Sequence, residues 1–189
     1  MNLLNVLKVV VGELEEASVG YALIGGFAMG LRGVQRATMD LDFILALEDL
    51  ERADAILQRH GFKRRFRSEN VSHYTSDDPD WGRVDLLHAF RKPSLRMLQR
   101  ADQLEVTPEL RLKVAKLEDL IGLKVQALSN DAARAERDWL DIKLLLKSAG
   151  SGGVPVDWEL LEDYFEIFDL RDRMTNLRKW YNENDAGRT

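Results

Sequence analysis

YALIGGFAMGLRGVQRATMDLDF, residues 21–43, is the stretch of this chain that determines the fold. A short apolar run leads into the glycine pair Gly25 and Gly26, and the carboxylate pair Asp40 and Asp42 follows. The apolar run predicts a buried strand, and the segment after it predicts a short helix. The glycines then lie at a helix start, where backbone N–H groups point outward, and such a turn is suited to binding phosphate.

The carboxylate pair predicts a metal site. Asp40 and Asp42 are separated by one residue, so on a strand both side chains lie on the same face. They open the segment MDLDFILAL, whose other positions are apolar on both faces, as in a central strand with its charges at one end. Two adjacent carboxylates without a partner are costly to bury, so they need a cation or solvent. A second pair, Asp78 and Asp80, lies in the turn-forming segment SDDPDWG and is interpreted as a solvated loop.

A third carboxylate, Asp85, opens a similar strand, RVDLLHAF. If the two strands are neighbours in register, Asp85 lies beside Asp40 and Asp42. Three carboxylates suffice to hold two divalent cations about 3.5 to 4 Å apart, an arrangement used in phosphoryl transfer. Asp85 would then be the general base for an attacking hydroxyl. The alternative is a lone aspartate at a strand start.

Two charged residues further along the chain lie on the apolar stripes of predicted helices. Lys124 replaces an expected leucine in KLEDLIGLKVQAL, and Asp138 lies on the buried arc of RAERDWLDIKLLLKSAG. They can form a buried structural salt bridge. They can also serve a site, with Lys124 reaching a triphosphate and Asp138 orienting it or a nucleobase.

Composition bounds the class of protein. The chain has 189 residues, is 45% hydrophobic and carries a net charge of −5, so it can bury a core as one domain or as one domain plus a helical appendage. It has no Cys, which removes disulfides and thiolate zinc sites, so any metal must be held by oxygen or imidazole. No apolar run is long enough to span a membrane, and we expect a cytoplasmic protein.

Positive charge is concentrated in the middle of the chain. Ten basic and five acidic side chains lie between residues 59 and 100, together with all three histidines. The basic excess favours a polyanionic substrate, and a solvated strand face is the alternative. His60, His73 and His88 have no metal-ligand spacing, so a surface or packing role is predicted for them.

The overall plan is an α+β fold, a mixed sheet flanked by helices and followed by a helical part. The domain prediction assigns residues 1–115 to the catalytic part and residues 116–189 to a helical region that completes the active site. Motifs of P-loop enzymes, serine hydrolases and zinc proteases are absent from the sequence.

The glycine pair, RATMDLD, VDLL, KLEDLIGLK and RDWLDI together resemble the nucleotidyltransferase-fold superfamily, as in DNA polymerase beta. The chain is most similar to its minimal bacterial branch, which includes the abortive-infection type nucleotidyltransferase toxins. The similarity covers residues 21–147. Position by position it implies triphosphate contacts and metal ligands, which fall on Gly25, Gly26, Arg36, Thr38 and Lys124 for the nucleotide, on Asp40, Asp42 and Asp85 for the metal, and on Asp138 for the last motif.

The resemblance implies a metal-dependent transfer of a nucleoside monophosphate from an NTP to an acceptor hydroxyl, with Mg²⁺ or Mn²⁺ and release of pyrophosphate. The acceptor can be RNA or tRNA, a protein or a small molecule, and a toxin–antitoxin partner is implied. The family commonly has Ser or Thr after the glycine pair, where this chain has Phe27. That departure leaves open a non-catalytic, antitoxin-like binding protein, and a metal-dependent nuclease is a third hypothesis.

Overall fold

A computed structural model describes residues 3–35 and 37–185, which form seven strands, eight α-helices and two short 3₁₀ turns. In chain order the helices and strands are α1 (Leu3–Glu16), β1 (Tyr21–Ile24), α2 (Gly25–Leu31), β2 (Asp40–Ala46), α3 (Leu50–Arg59), β3 (Phe62–Arg67), β4 (Val71–Ser76), β5 (Arg83–Ala89), α4 (Lys92–Gln99), β6 (Asp102–Thr107), β7 (Leu110–Val114), α5 (Leu117–Asn130), α6 (Ala135–Ser151), α7 (Trp158–Ile167) and α8 (Arg171–Asp185).

All seven strands join one mixed sheet in the order β3-β4-β5-β2-β1-β7-β6. The pairs β2–β5 and β1–β7 are parallel, and the other neighbours are antiparallel. Strand β2 is the middle strand, and its residues Leu41, Phe43 and Leu45 are fully buried. The predicted α+β fold with a mixed sheet is confirmed.

The chain divides into two compact units. The first comprises Met1–Leu31 and Arg36–Lys116 and contains the whole sheet with α1 to α4. Helix α1 buries an apolar stripe at helical spacing, which is Val6, Leu7, Val10, Val11 and Leu14. Burying these side chains removes apolar surface from water, which is the main force holding the helix in place.

The second unit comprises Arg32–Gln35 and Leu117–Thr189 and contains α5 to α8. The Ser148 hydroxyl on α6 donates to the Arg32 carbonyl at 2.7 Å, which ties the short segment to this unit. Helices α5 and α7 pack so closely at Gly122 that a Cβ atom there would lie 2.7 Å from the Tyr164 ring. The Tyr164 hydroxyl also donates to the buried Asp119 carboxylate at 2.7 Å.

Within the described ranges, no helix has both the length and the apolar character needed to cross a membrane.

Candidate active site

Three carboxylates lie together on one face of the sheet in the first unit. Asp40 is the first residue of β2, and Asp42 pairs directly with Asp85 on the parallel neighbour β5. Because directly paired residues point to the same face, Asp42 and Asp85 are side by side, and Asp40 lies on that face two residues earlier. Both strands start at this end of the sheet, and all three carboxylates are half-buried there.

Asp85 is held by two side chains of the same sheet. The Arg83 guanidinium donates to both of its carboxylate oxygens, at 3.0 Å from Nε and 2.7 Å from Nη2. His73 Nδ1 lies 2.7 Å from Asp85 Oδ1, because His73 pairs with Asp85 across β4 and β5. The sequence had indicated a surface or packing role for His73, and the structure places it beside a site carboxylate instead.

Asp42 is a largely buried carboxylate beside two others. Burial, followed by the negative charges of Asp85 and Asp40, raises the pKa of Asp42 to about 6. A backbone N–H of Gly26 and the charge of Arg83 act in the opposite direction. The ionised form of Asp42 therefore lacks full compensation, and a divalent cation at these oxygens would supply it.

The carboxylates form a suitable donor set for a hard cation, and one of them would have to change partners to complete it. In the described part of the chain no three acidic or histidine side chains are grouped closely enough to hold a metal ion as they stand. Both carboxylate oxygens of Asp85 are directed to Arg83 and His73. Asp40, Asp42 and Asp85 are thus of the chemical type that binds a hard cation, but their present arrangement does not form a metal site.

The glycine turn packs directly against the carboxylate pair. Gly25 has a φ of +66°, a backbone conformation that residues with a Cβ atom rarely adopt. A Cβ atom there would lie 1.9 Å from an Asp42 carboxylate oxygen, and one at Gly26 would lie 3.0 Å from the Thr38 hydroxyl. The turn therefore approaches Asp42 as closely as it does only because residue 25 is glycine.

Thr38 fixes the start of the carboxylate strand. Its hydroxyl lies 3.3 Å from the Asp40 carbonyl and 3.4 Å from the Asp40 amide nitrogen. Arg36, the other predicted nucleotide contact in this segment, lies outside the described residues.

In the second unit, Lys124 and Asp138 form a salt bridge. A buried salt bridge was one of the two roles that the sequence indicated for this pair. Lys124 Nζ lies 2.9 Å from Asp138 Oδ1 and 2.7 Å from Asp141 Oδ2. Asp138 is 0% exposed, and its other oxygen accepts no hydrogen bond and lies 3.5 Å from Arg134 Nε. Asp141 was missed, although its place one helical turn after Asp138 was a signal for it.

The basic residues of β3 are engaged in ion pairs, and the partner of Arg64, Asp54, is buried. Lys63 and Arg65 both contact Asp77, Arg64 lies 3.0 Å from Asp54, and Arg67 lies 2.7 Å from Glu51. The exposed pairs, those of Lys63, Arg65 and Arg67, contribute little to stability. Much of the basic excess read from the sequence is thus neutralised in the folded chain.

Comparison with known proteins gives a family and a fold. The family described as "Nucleotidyl transferase AbiEii toxin, Type IV TA system" matches residues 13–179. No curated protein sequence matches the chain. The antibiotic-resistance factor ANT(2'')-Ia superposes with a TM-score of 0.65 at 16% identity, over 97% of this chain and 100% of that one.

Two further solved structures share the fold. The lincosamide antibiotic adenylyltransferase LnuA has a TM-score of 0.54 at 15% identity, over 75% of this chain and 94% of that one. An antigenic nucleotidyltransferase-like protein from Paracoccidioides brasiliensis has a TM-score of 0.57 at 19% identity, over 94% and 92%. The predicted resemblance to the nucleotidyltransferase-fold superfamily is confirmed.

The glycine turn yields a prediction with a matched control in the same helix. Gly25→Ala should lower the free energy of unfolding by at least about 2 kcal/mol, because it combines a strained φ with an overlap against Asp42. Gly30→Ala should change it by about 1 kcal/mol or less, and in the stabilising direction, because a Cβ atom there meets nothing. Urea denaturation measures both, and equal shifts would contradict the close approach.

The pKa of Asp42 yields a pH prediction. The folded pKa of about 6 lies above the ordinary value of 3.8, so ionisation of Asp42 costs stability as the pH rises from about 4 to 6. Asp42→Asn removes that cost. Without metal, the variant should equal the wild type near pH 4 and be about 1 to 3 kcal/mol more stable above about pH 7.

The measurement is urea denaturation in EDTA across that pH range. The exposed carboxylate Glu48 supplies the control, and Glu48→Gln should show no such pH-dependent gain. If Asp42→Asn is less stable than the wild type at pH 7, then groups within the fold already balance the negative charge of Asp42.

Proposed function

The chain belongs to the AbiEii nucleotidyl transferase family, and on that basis we propose that it transfers a nucleoside monophosphate from an NTP to an acceptor hydroxyl, with release of pyrophosphate. The observation that carries this proposal is the register of β2 and β5. It puts Asp42 beside Asp85 on one face, with the pKa of Asp42 raised by burial and by its acidic neighbours. Such a pair is suited to divalent metal and phosphate chemistry.

Asp40, Asp42 and Asp85 would hold the metal in this proposal. Oxygen ligands select Mg²⁺ or Mn²⁺, and the chain has no Cys to offer a softer site. When bound, the metal would neutralise the charge that develops on the transferred phosphoryl group.

The nucleotide would bind next to the carboxylates. Backbone N–H groups at Gly25 and Gly26 would contact the triphosphate, and the Gly26 N–H would exchange its present contact with Asp42 for a phosphate oxygen. Thr38 and Arg36 would support the triphosphate. Supporting this, Gly25 leaves no room for a side chain against Asp42, so the backbone itself faces the carboxylate pair. Phe27 brings no hydroxyl to the phosphates, which leaves the backbone to make these contacts.

We assign Lys124 to the triphosphate as well. An ammonium group has three N–H bonds, and the carboxylates of Asp138 and Asp141 engage two of them. The two carboxylates would then orient the lysine, while it contacts a phosphate oxygen. In the same proposal residues 1–115 form the catalytic domain, and residues 116–189 complete the active site.

The chemical step follows from these positions. The acceptor oxygen forms a bond to the α-phosphorus of the NTP, the bond from that phosphorus to the bridging oxygen breaks, and pyrophosphate leaves. The acceptor hydroxyl loses its proton to an oxygen of Asp85, which becomes available when Asp85 releases its contact with Arg83 or His73. In-line attack at phosphorus needs little more from a protein than positioning and charge stabilisation.

The acceptor would be RNA or tRNA, a protein or a small molecule, and the description of the family supports a toxin–antitoxin partner. We propose a cytoplasmic location, in keeping with the absence of Cys. Phe27 favours one alternative, a non-catalytic member of the fold that acts as an antitoxin-like binding partner. A metal-dependent nuclease would differ from both, because it would cleave nucleic acid without any NTP.

The proposed activity predicts pyrophosphate release when the protein is incubated with each labelled NTP, Mg²⁺ or Mn²⁺ and a cell lysate as the source of acceptor. Asp42→Asn should abolish release, and Asp85→Asn should slow it about 10²- to 10⁴-fold through loss of the base. Glu48→Gln should leave the rate unchanged. NTP binding without release would support the binding protein, and RNA cleavage without NTP would support the nuclease.

A further inference from the structure

A single row of side chains crosses four strands of the sheet on the carboxylate face. Phe66 on β3 pairs with His73 on β4, His73 pairs with Asp85 on β5, and Asp85 pairs with Asp42 on β2. The row thus begins at an aromatic ring and ends at the carboxylate that contacts the glycine turn.

Phe66 is 51% exposed, although it lies in a strand of the main sheet. Its ring stacks on the His73 imidazole, with the centroids 5.4 Å apart and the planes 25° from parallel. Single exposed apolar residues are common on protein surfaces. Phe66 differs in that the ring beneath it contacts a site carboxylate, so an exposed aromatic surface adjoins the proposed reaction centre.

A β-bulge brings a cation to the same place. The register of β3 and β4 shifts between Arg64 and Phe66, which leaves Arg65 as the extra residue. Arg65 Nε donates to the Thr75 hydroxyl at 2.8 Å, and Thr75 is two residues from His73 on the same face of β4. Arg65 and Phe66 therefore both lie on the face of the sheet that carries the row.

We propose that Phe66 and Arg65 form the acceptor platform, which binds a ribonucleotide at the 3′ end of a single-stranded RNA. The base stacks on Phe66, Arg65 contacts a backbone phosphate, and the terminal hydroxyl reaches Asp85. This inference rests on the proposed function and names its acceptor. Aromatic stacking combined with a nearby cation is the usual means of binding single-stranded nucleic acid without reading its sequence.

The order of the strands assigns the platform to the acceptor and not to the NTP. Neighbouring strands are about 4.8 Å apart, so Phe66 lies about 10 Å from Asp85 and about 14 Å from Asp42. The glycine turn follows β1, on the other side of Asp42. Triphosphate and platform thus lie on opposite sides of Asp85, as a base that takes the acceptor proton requires.

The ion pair that Arg65 now makes does not prevent this role. Arg65 lies 3.3 Å from Asp77, and both side chains are more than half exposed. A pair of this kind gains little from its mutual attraction in water, so a phosphate can replace Asp77.

The test measures binding of a fluorescein-labelled single-stranded RNA of about 12 nucleotides by fluorescence anisotropy. Phe66→Ala should raise the Kd about 5- to 100-fold, which is the loss expected for one stacked base. Phe66→Leu, which keeps apolar bulk without a π-face, should lose most of the binding, and Phe66→Trp should retain it. Arg65→Ala should also weaken binding. It should reduce the slope of log K against log salt concentration by about 0.7, the value for one phosphate contact on a single strand.

The control is Leu4→Ala, which removes another exposed apolar side chain of the same unit and should leave the Kd unchanged. The proposal is overturned if wild type binds no RNA, if Phe66→Ala binds as wild type does, or if Phe66→Ala weakens NTP binding instead. Pyrophosphate release, assayed in parallel, separates the two claims. RNA binding that depends on Phe66 without any release would refute the transferase and keep the platform, whereas nucleotidyl transfer to protein that is insensitive to Phe66 would do the reverse.

Discussion

The parallel pairing of β2 with β5 is the constraint on which the rest of the site depends. It places Asp42 and Asp85 side by side and so requires the fold to tolerate two negative charges at adjacent positions. Arg83 and His73 contact the oxygens of Asp85, and the pKa of Asp42 is raised to about 6. A site that retains uncompensated charge costs stability, and such a cost is characteristic of functional sites.

Several other features follow from that pairing. Gly25 must lack a side chain because the Asp42 carboxylate occupies the space where a Cβ would lie. His73 is drawn to Asp85 because β4 pairs with the other edge of β5, and its ring then supports Phe66. The second unit also buries two acidic side chains, and there a lysine compensates them. Lys124 lies between the buried Asp138 and the buried Asp141.

The sequence predicted much of the fold because hydrophobic periodicity and glycine positions are local signals. The α+β class, the central place of β2 and the charged start of β5 could all be inferred this way. His73, Arg83 and Phe66 could not, because their place beside the carboxylates depends on the strand order β3-β4-β5-β2. Strand order reflects long-range pairing, which no local pattern contains. The ion pairs that neutralise the basic strand β3 were hidden for the same reason, since their acidic partners come from other elements.

The proposed activity requires a divalent cation between β2 and β5, and anomalous diffraction from crystals grown with Mn²⁺ and a non-hydrolysable NTP would locate it. We expect a manganese peak at bonding distance, about 2.0 to 2.6 Å, from carboxylate oxygens of Asp42 and Asp85. We also expect that Asp85 has released at least one of its contacts with Arg83 and His73. Manganese bound elsewhere, with Asp85 still held by both side chains, would refute the proposed metal site.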